Sequence, residues 1–230
     1  PPVRSLELPI WSNLIGVGTP YLQYYGFLYF YFAGVIDYFV GDVHITTKLS
    51  LWLGHLASGA TMYLFARRVL GARPAAFVAA LAYVASFWHT QQVLLMGRFP
   101  LSLFYALLPV PFYLFERSAG GDRRLCIIGL GGISLGALPM IHPGYGFWAT
   151  FFFLVYALIR FLTGPINRLQ VVRAALSMTA IGLVFGAYIT LGMWLEQEGT
   201  GIEHGVDLAG VQDPSWKRVF LWSNLFFPIV

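Results

Sequence analysis

Charged side chains are scarce in this sequence of 230 residues. Lysine and arginine together number 14 and aspartate and glutamate 10, so charged residues make up 10% of the chain against 58% for hydrophobic ones. A soluble domain carries about 25% charged residues, and a disordered chain carries far fewer apolar ones than this. The composition therefore excludes an ordinary soluble enzyme and a disordered protein. It predicts an all-α, polytopic membrane protein.

Cysteine and the common nucleotide-binding and catalytic motifs are also nearly or wholly missing. Cys126 is the only cysteine, which excludes an internal disulfide. The sequence contains no Walker motif, dinucleotide fingerprint, nucleophile elbow or set of zinc-binding cysteines. It begins Pro1-Pro2 and ends in the apolar stretch 226–230, from which we expect a piece of a longer protein.

Six apolar runs approach the length of about 20 residues that a membrane-spanning helix needs. They cover residues 45–66, 74–89, 99–115, 125–141, 144–163 and 171–194. A seventh stretch, 21–40, is rich in tyrosine, and aromatic residues prefer the headgroup level. We expect an interfacial or re-entrant helix there; the alternative is a further span with residues 1–20 in the cytoplasm. The predicted organisation is an outer loop with this helix (1–44), the bundle (45–194), and an outer loop leading to a further span (195–230).

The basic residues are sorted by loop. Nine of the fourteen flank the three loops near 67–73, 116–124 and 163–170: Arg67, Arg68, Arg73, Arg117, Arg123, Arg124, Arg160, Arg168 and Arg173. Eight of the ten acidic residues fall on the opposite side. The positive-inside rule makes the basic side cytoplasmic. The pI of 9.3 is then a signal of topology, and we expect no nucleic-acid partner.

Small residues recur at a spacing of four within the predicted spans. The pairs are Gly54 with Ser58, Gly132 with Gly136, and Gly182 with Gly186. Such pairs let helices approach closely in lipid, so we expect them at helix–helix contacts.

The polar residues of the outer side supply the candidate site. Asp42 and His142 are the candidate catalytic acid and base, and the candidate substrate-binding residues are Lys48, His89, Arg98 and Glu196. Arg98 opposes the positive-inside bias, and a guanidinium binds phosphate in a bidentate way. Each residue also has a plainer interpretation. Asp42, Lys48 and Glu196 suit a hydrated boundary, and Arg98 suits a headgroup contact or an ion pair.

The histidines have plainer interpretations as well. His142 stands in the turn His142-Pro143-Gly144, where a histidine often satisfies the turn itself. His55 lies inside the first span, where an ionisable group is a functional candidate, although a neutral histidine bound to a neighbouring helix is the simpler alternative. His89 precedes Gln91 and Gln92 in the loop that ends at Arg98.

The order of several motifs resembles a known family. The chain has Trp11, then Gly16-Val17-Gly18-Thr19-Pro20 and an aromatic helix with Tyr25-Gly26-Phe27-Leu28. A span closing in Arg67-Arg68-Val69-Leu70-Gly71 and an alanine-rich span follow. This order resembles the multi-spanning glycosyltransferases of superfamily C and the related 6-pyruvoyl-tetrahydropterin synthase-related membrane proteins. The family's tyrosine-proline-proline-leucine element is present without its prolines, and its catalytic acid would precede Pro1.

The resemblance implies a transferase that moves a sugar from a polyprenyl-phosphate carrier on the outer membrane face. An acid would deprotonate the acceptor or hold a divalent metal ion, and basic groups would stabilise the leaving phosphate. The expected partners are membrane lipid and the lipid-linked sugar donor, in the plasma membrane. Two other functions stay open: a transporter or lipid flippase, and a non-catalytic scaffold that binds a partner through residues 195–230.

Overall fold

The computed structural model describes residues 26–122, 124–164 and 167–196. These residues are helical, without a strand, which confirms the all-α prediction. The elements are α1 (Leu28–Val40), α2 (Val43–Leu70), α3 (Arg73–Val84), α4 (Phe87–Thr90), a π-helical segment (Gln91–Leu95), α5 (Pro100–Leu107), α6 (Pro109–Ala119), α7 (Leu125–Ile141), α8 (Pro143–Thr163) and α9 (Arg168–Glu196). Among the described residues, those up to Thr190 form one compact unit, and residues 191–196 belong to a second.

Two of the described helices are long and apolar enough to cross a membrane. They are α8, with 21 residues, and the Arg168–Gly192 part of α9, with 25. The 28-residue α2 is long enough but includes polar residues such as Lys48 and His55. The aromatic α1 has 13 residues and covers about 20 Å, short of the ~30 Å of a bilayer core. This length favours the interfacial or re-entrant interpretation of α1.

The second and third apolar runs depart from single straight helices. Run 74–89 divides into α3, of 12 residues, and α4, with a break at Ala85 and Ser86. Run 99–115 becomes α5 and α6, which meet at Leu108 and extend to Ala119. Pro109 and Pro111 lie at this junction, and proline has no N–H to donate to the preceding turn. Six continuous spans are therefore too simple a description of these segments.

The C-terminal ends of α2, α6 and α8 meet at one end of the bundle around Glu116. The side chain of Glu116 is 4% exposed and accepts hydrogen bonds from Arg160 Nε (2.7 Å), Arg160 Nη2 (3.0 Å) and Tyr156 Oη (2.7 Å). Arg68 Nη2 donates to the backbone oxygen of Glu116 (3.4 Å). Helix ends that the sequence assigned to one side thus lie together, although Glu116 itself is a buried ion-pair partner rather than a loop charge.

The small residues at a spacing of four lie at helix contacts, as the sequence predicted. A β-carbon at Gly136 would collide with the backbone of Gly182, and one at Gly132 would collide with Ile181. These glycines allow α7 and α9 to approach at backbone distance. Gly54 plays the same part between α2 and α5, where the backbone of Ser102 leaves no room for a larger residue.

A candidate site around Arg98

The half-buried guanidinium of Arg98 is held by neutral groups. Its Nη1 donates to Gln92 Oε1 (2.8 Å) and to Tyr145 Oη (3.4 Å). Gln92 is 1% exposed, and its backbone oxygen accepts from the Arg98 N–H (3.0 Å). None of the carboxylates in the described residues forms an ion pair with Arg98. Arg98 is therefore positioned without being neutralised, which suits a guanidinium that binds an anion.

His142 lies beside this group and caps α8. Its Nδ1 accepts a hydrogen bond from the Tyr145 N–H (3.4 Å), and the two rings are 4.6 Å apart. Burial, followed by the positive charge of Arg98, lowers the pKa of His142 below its ordinary value. The cap gives the Tyr145 N–H of the turn its hydrogen-bond acceptor, which is the role that the plainer interpretation of His142 assigns to this residue. It also brings the histidine to Tyr145, the residue that Arg98 binds, and the sequence did not predict this proximity.

A second cluster, which we call the histidine cluster, consists of His55, Tyr83, His89 and Tyr105. The ring of His89 lies 5.2 Å from that of His55 and 4.3 Å from that of Tyr105, and Tyr83 is 5.5 Å away. The Tyr83 hydroxyl donates to the backbone oxygen of Tyr105 (2.9 Å). His89 is 2% exposed and so faces the interior of the bundle rather than an outer loop.

The remaining candidates lie apart from Arg98. Asp42 is exposed and caps α2 by accepting from the Ile45 N–H (2.9 Å). Lys48 is exposed on α2. No hydrogen bond or ion pair within the described residues joins either one to Arg98. The cap gives Asp42 a structural role, its predicted catalytic role stays a prediction, and the side chain of Glu196 lies outside the described part.

An apolar groove of about 780 Å³ lies between α1, α2, α5, α6 and α7. Its walls are almost wholly hydrocarbon, from residues such as Leu28, Leu64, Leu107, Leu130 and Ile141. The lining also includes Thr61 and Ser134, whose hydroxyls are satisfied by backbone oxygens: Thr61 donates to Ala106 (2.8 Å) and Ser134 to Gly131 (2.9 Å). Ile141, the residue before His142, is one of the lining residues, and the volume and chemistry of the groove suit a hydrocarbon chain.

A divalent metal ion has no evident donor set in the described part of the chain. Nowhere there do three His, Cys, Asp or Glu side chains come close enough to hold a metal ion. The sequence did not identify Tyr145 as a site residue either. The signal was its position three residues after His142, where the N–H of a helix meets its cap.

Comparison with known proteins adds no family. No protein-family model, no curated protein and no solved structure matches this chain.

Proposed function

We propose that this protein is a multi-pass membrane protein that binds the phosphate of a lipid-linked sugar at Arg98 and acts as a glycosyltransferase of the superfamily C type. Arg98 carries the proposal, because Gln92 and Tyr145 orient it while no described carboxylate neutralises it. The apolar groove, whose lining includes Ile141, is consistent with a polyprenyl chain. The two long apolar helices support membrane association, and we propose the plasma membrane with the basic loops inside.

In this proposal Arg98 stabilises negative charge on the phosphate of the leaving carrier. A charge-assisted hydrogen bond contributes about 1.5–3 kcal/mol, so loss of the guanidinium should weaken carrier binding by about 10- to 100-fold. The acid that would activate the acceptor is not assigned by the described geometry. Asp42 and His142 stay candidates for that role, and Lys48 and Glu196 stay candidates for binding the substrate.

The test is binding and turnover of a polyprenyl-phosphate-linked sugar by the full-length protein in vesicles. We expect Arg98→Ala to weaken binding strongly. Arg98→Lys should recover it in part, since a lysine keeps the positive charge but cannot donate two parallel hydrogen bonds as a guanidinium does. Arg73→Ala is the matched control, because Arg73 is exposed at the other end of the bundle. Equal carrier binding by the Arg98→Ala variant and the wild type would remove Arg98 from the proposal.

A transporter is a second candidate, and one observation favours it. The helix is broken between α3 and α5, where buried His89 lies on the short α4 and buried Gln92 lies on the π-helical segment that follows it. Broken helices that carry polar groups are typical of transporter binding sites. Accumulation of a phosphorylated solute in proteoliposomes, without turnover of a lipid-linked sugar, would favour this function over the transferase.

A further inference from the structure

Residues 85–99, which we call the 85–99 segment, have the opposite polarity to a loop in water. The polar side chains of His89 and Gln92 are buried, whereas several apolar side chains of the same segment face outward. Three consecutive apolar residues are between 50% and 77% exposed: Leu94, Leu95 and Met96. A single exposed leucine is ordinary in water, but three such residues in a row form an apolar patch that marks a contact with a membrane or a partner.

The backbone of the 85–99 segment finds hydrogen-bond partners within the chain at the points where the helices break. Four N–H groups donate to backbone oxygens at most six residues away: those of Ala85, Ser86, Met96 and Arg98. The hydroxyls of Ser86 and Thr90 also donate to backbone oxygens (2.9 and 3.2 Å). Irregular backbone at membrane depth requires such partners, because hydrocarbon offers none. The segment meets this condition at these positions.

Helix lengths place the 85–99 segment in the outer half of the bilayer in the proposed topology. α3 begins at Arg73, close to the basic pair of α2, and its 12 residues cover about 18 Å. It therefore ends about 12 Å short of the outer boundary of a ~30 Å hydrocarbon core. α5 and α6 run from Pro100 to Ala119 and together cover about 30 Å. Arg98, just before Pro100, is then at the outer headgroup level, and residues 94–96 lie in the hydrocarbon below it.

Arg98 has hydrogen-bond donors left for a ligand at this level. Both hydrogens of Nη1 are used, by Gln92 Oε1 (2.8 Å) and by Tyr145 Oη (3.4 Å). Nε and Nη2 form no hydrogen bond in the part of the chain that the structure describes, and this edge of a guanidinium binds phosphate in a bidentate way. Arg98 is also the only Asp, Glu, Lys or Arg in the 85–99 segment. A single cation beside an apolar patch is complementary to an anionic headgroup that is attached to hydrocarbon.

We propose that the 85–99 segment lies in the outer leaflet, and that the Nε–Nη2 edge of Arg98 binds the phosphate of a lipid that arrives sideways through that leaflet. The inference depends on the anion site of the proposed function, to which it adds a contact surface and a route. The chains of the lipid would contact Leu94, Leu95 and Met96 on the way. This surface is separate from the apolar groove, whose lining includes none of the three. Phosphate dissolved in water lacks the apolar part that the surface fits.

The first experiment measures the depth of the segment by electron paramagnetic resonance of the full-length protein in phosphatidylcholine vesicles. Cys126→Ser removes the native thiol, and Leu95→Cys carries the spin label. Val184→Cys, on the exposed face of α9, is the hydrocarbon reference, and His44→Cys, exposed in the first turn of α2, is the control nearer to water. We expect the ratio of collisions with oxygen to collisions with a water-soluble nickel chelate to match that of Val184→Cys. It should exceed the ratio for His44→Cys several-fold.

The second experiment measures lipid binding by native mass spectrometry of the full-length protein released from vesicles that contain phosphatidic acid, a lipid with a terminal phosphate. We expect Arg98→Ala to retain about 10- to 100-fold less phosphatidic acid than the wild type, through loss of a charge-assisted hydrogen bond. Arg73→Ala is the matched control, because it measures what a headgroup contact at the other boundary contributes. Inorganic phosphate in the buffer should leave the retention unchanged.

The possible failures can be told apart. A label at position 95 that collides with the nickel chelate as often as the label at position 44, while lipid binding still requires Arg98, would overturn this inference alone. Retention of phosphatidic acid that does not depend on Arg98 would overturn the anion site and this inference with it. Displacement of the lipid by inorganic phosphate at an equal concentration would assign the site to free phosphate and overturn the route through the leaflet.

Discussion

Replacement of Glu116 by alanine should destabilise the bundle more than any exposed charge change. Glu116 accepts three hydrogen bonds from Arg160 and Tyr156, and its removal would leave the guanidinium and the phenol without their acceptor. Loss of one partner of a fully buried ion pair costs about 3–5 kcal/mol. The Arg160 side chain is 24% exposed, so water can recover part of its solvation, and we expect about 2–4 kcal/mol.

The assay is reversible unfolding of the purified protein in mixed micelles, monitored by circular dichroism. Glu116→Gln preserves the volume of the side chain and separates the loss of charge from the cavity. A double-mutant cycle with Arg160→Gln should give a coupling energy of about 1–3 kcal/mol, because the two side chains are in direct contact. A coupling energy near zero would refute the view that this ion pair holds α6 and α8 together.

Asp122 provides the matched comparison on the solvent side. It pairs with Arg117 (2.6 Å) and Arg124 (2.9 Å) in the exposed loop before α7. The Arg124 guanidinium, with Arg117, holds the pKa of Asp122 below its ordinary value. The stability that Asp122 contributes is therefore present above the unfolded pKa of about 3.9 and is lost as the pH falls below it. At pH 7 we expect Asp122→Asn to change stability far less than Glu116→Ala.

Two further substitutions test the helix packing and the capping histidine. Gly136→Ala should lower the free energy of unfolding by about 1–3 kcal/mol, since a β-carbon would collide with the backbone of α9. Thermal unfolding measures the change. Gly129→Ala is the control: it has open space around it and should be neutral or slightly stabilising. His142→Ala should cost about 0.5–2 kcal/mol through loss of the cap on the Tyr145 N–H, and His142→Asn should restore most of it. Burial and Arg98 lower the pKa of His142. The contribution of this residue to folding stability is therefore greatest above pH 6.5, the pKa of an unfolded histidine, and falls as the pH drops below it. Between pH 7.5 and 5, the stability of the wild type should decline more than that of His142→Asn.

Much of the helical pattern could be predicted because it depends on local chemistry. Gly71, with a φ of 73°, ends α2 three residues after the basic pair Arg67-Arg68, and Pro143 opens α8 after the His142 cap. The sequence also predicts that the glycine pairs of α7 and α9 lie at helix contacts, because small residues at a spacing of four form a continuous strip on one helix face. These features require only the identities of neighbouring residues, which the sequence supplies.

The break after α3 could not be predicted in the same way. The run 74–89 is apolar throughout, and hydropathy does not distinguish one span from a short helix followed by a turn into the bundle. The difference arises because His89 is buried against the ring of His55 on α2, which is distant in the sequence, and Gln92 is buried where it binds Arg98, six residues further on. Hydropathy does not record side-chain contacts of this kind.

The same reasoning explains why Glu116 and Arg98 differ in their surroundings. Both flank the apolar run 99–115. Glu116 meets a cation and a phenol from α8, so its charge is balanced within the bundle. Arg98 meets an amide and a phenol, both neutral, so its charge is oriented but left unbalanced by the described residues. A balanced buried charge serves to hold helices together, whereas an oriented, unbalanced one is available to an anion, and this contrast assigns the candidate site to the Arg98 end of the bundle.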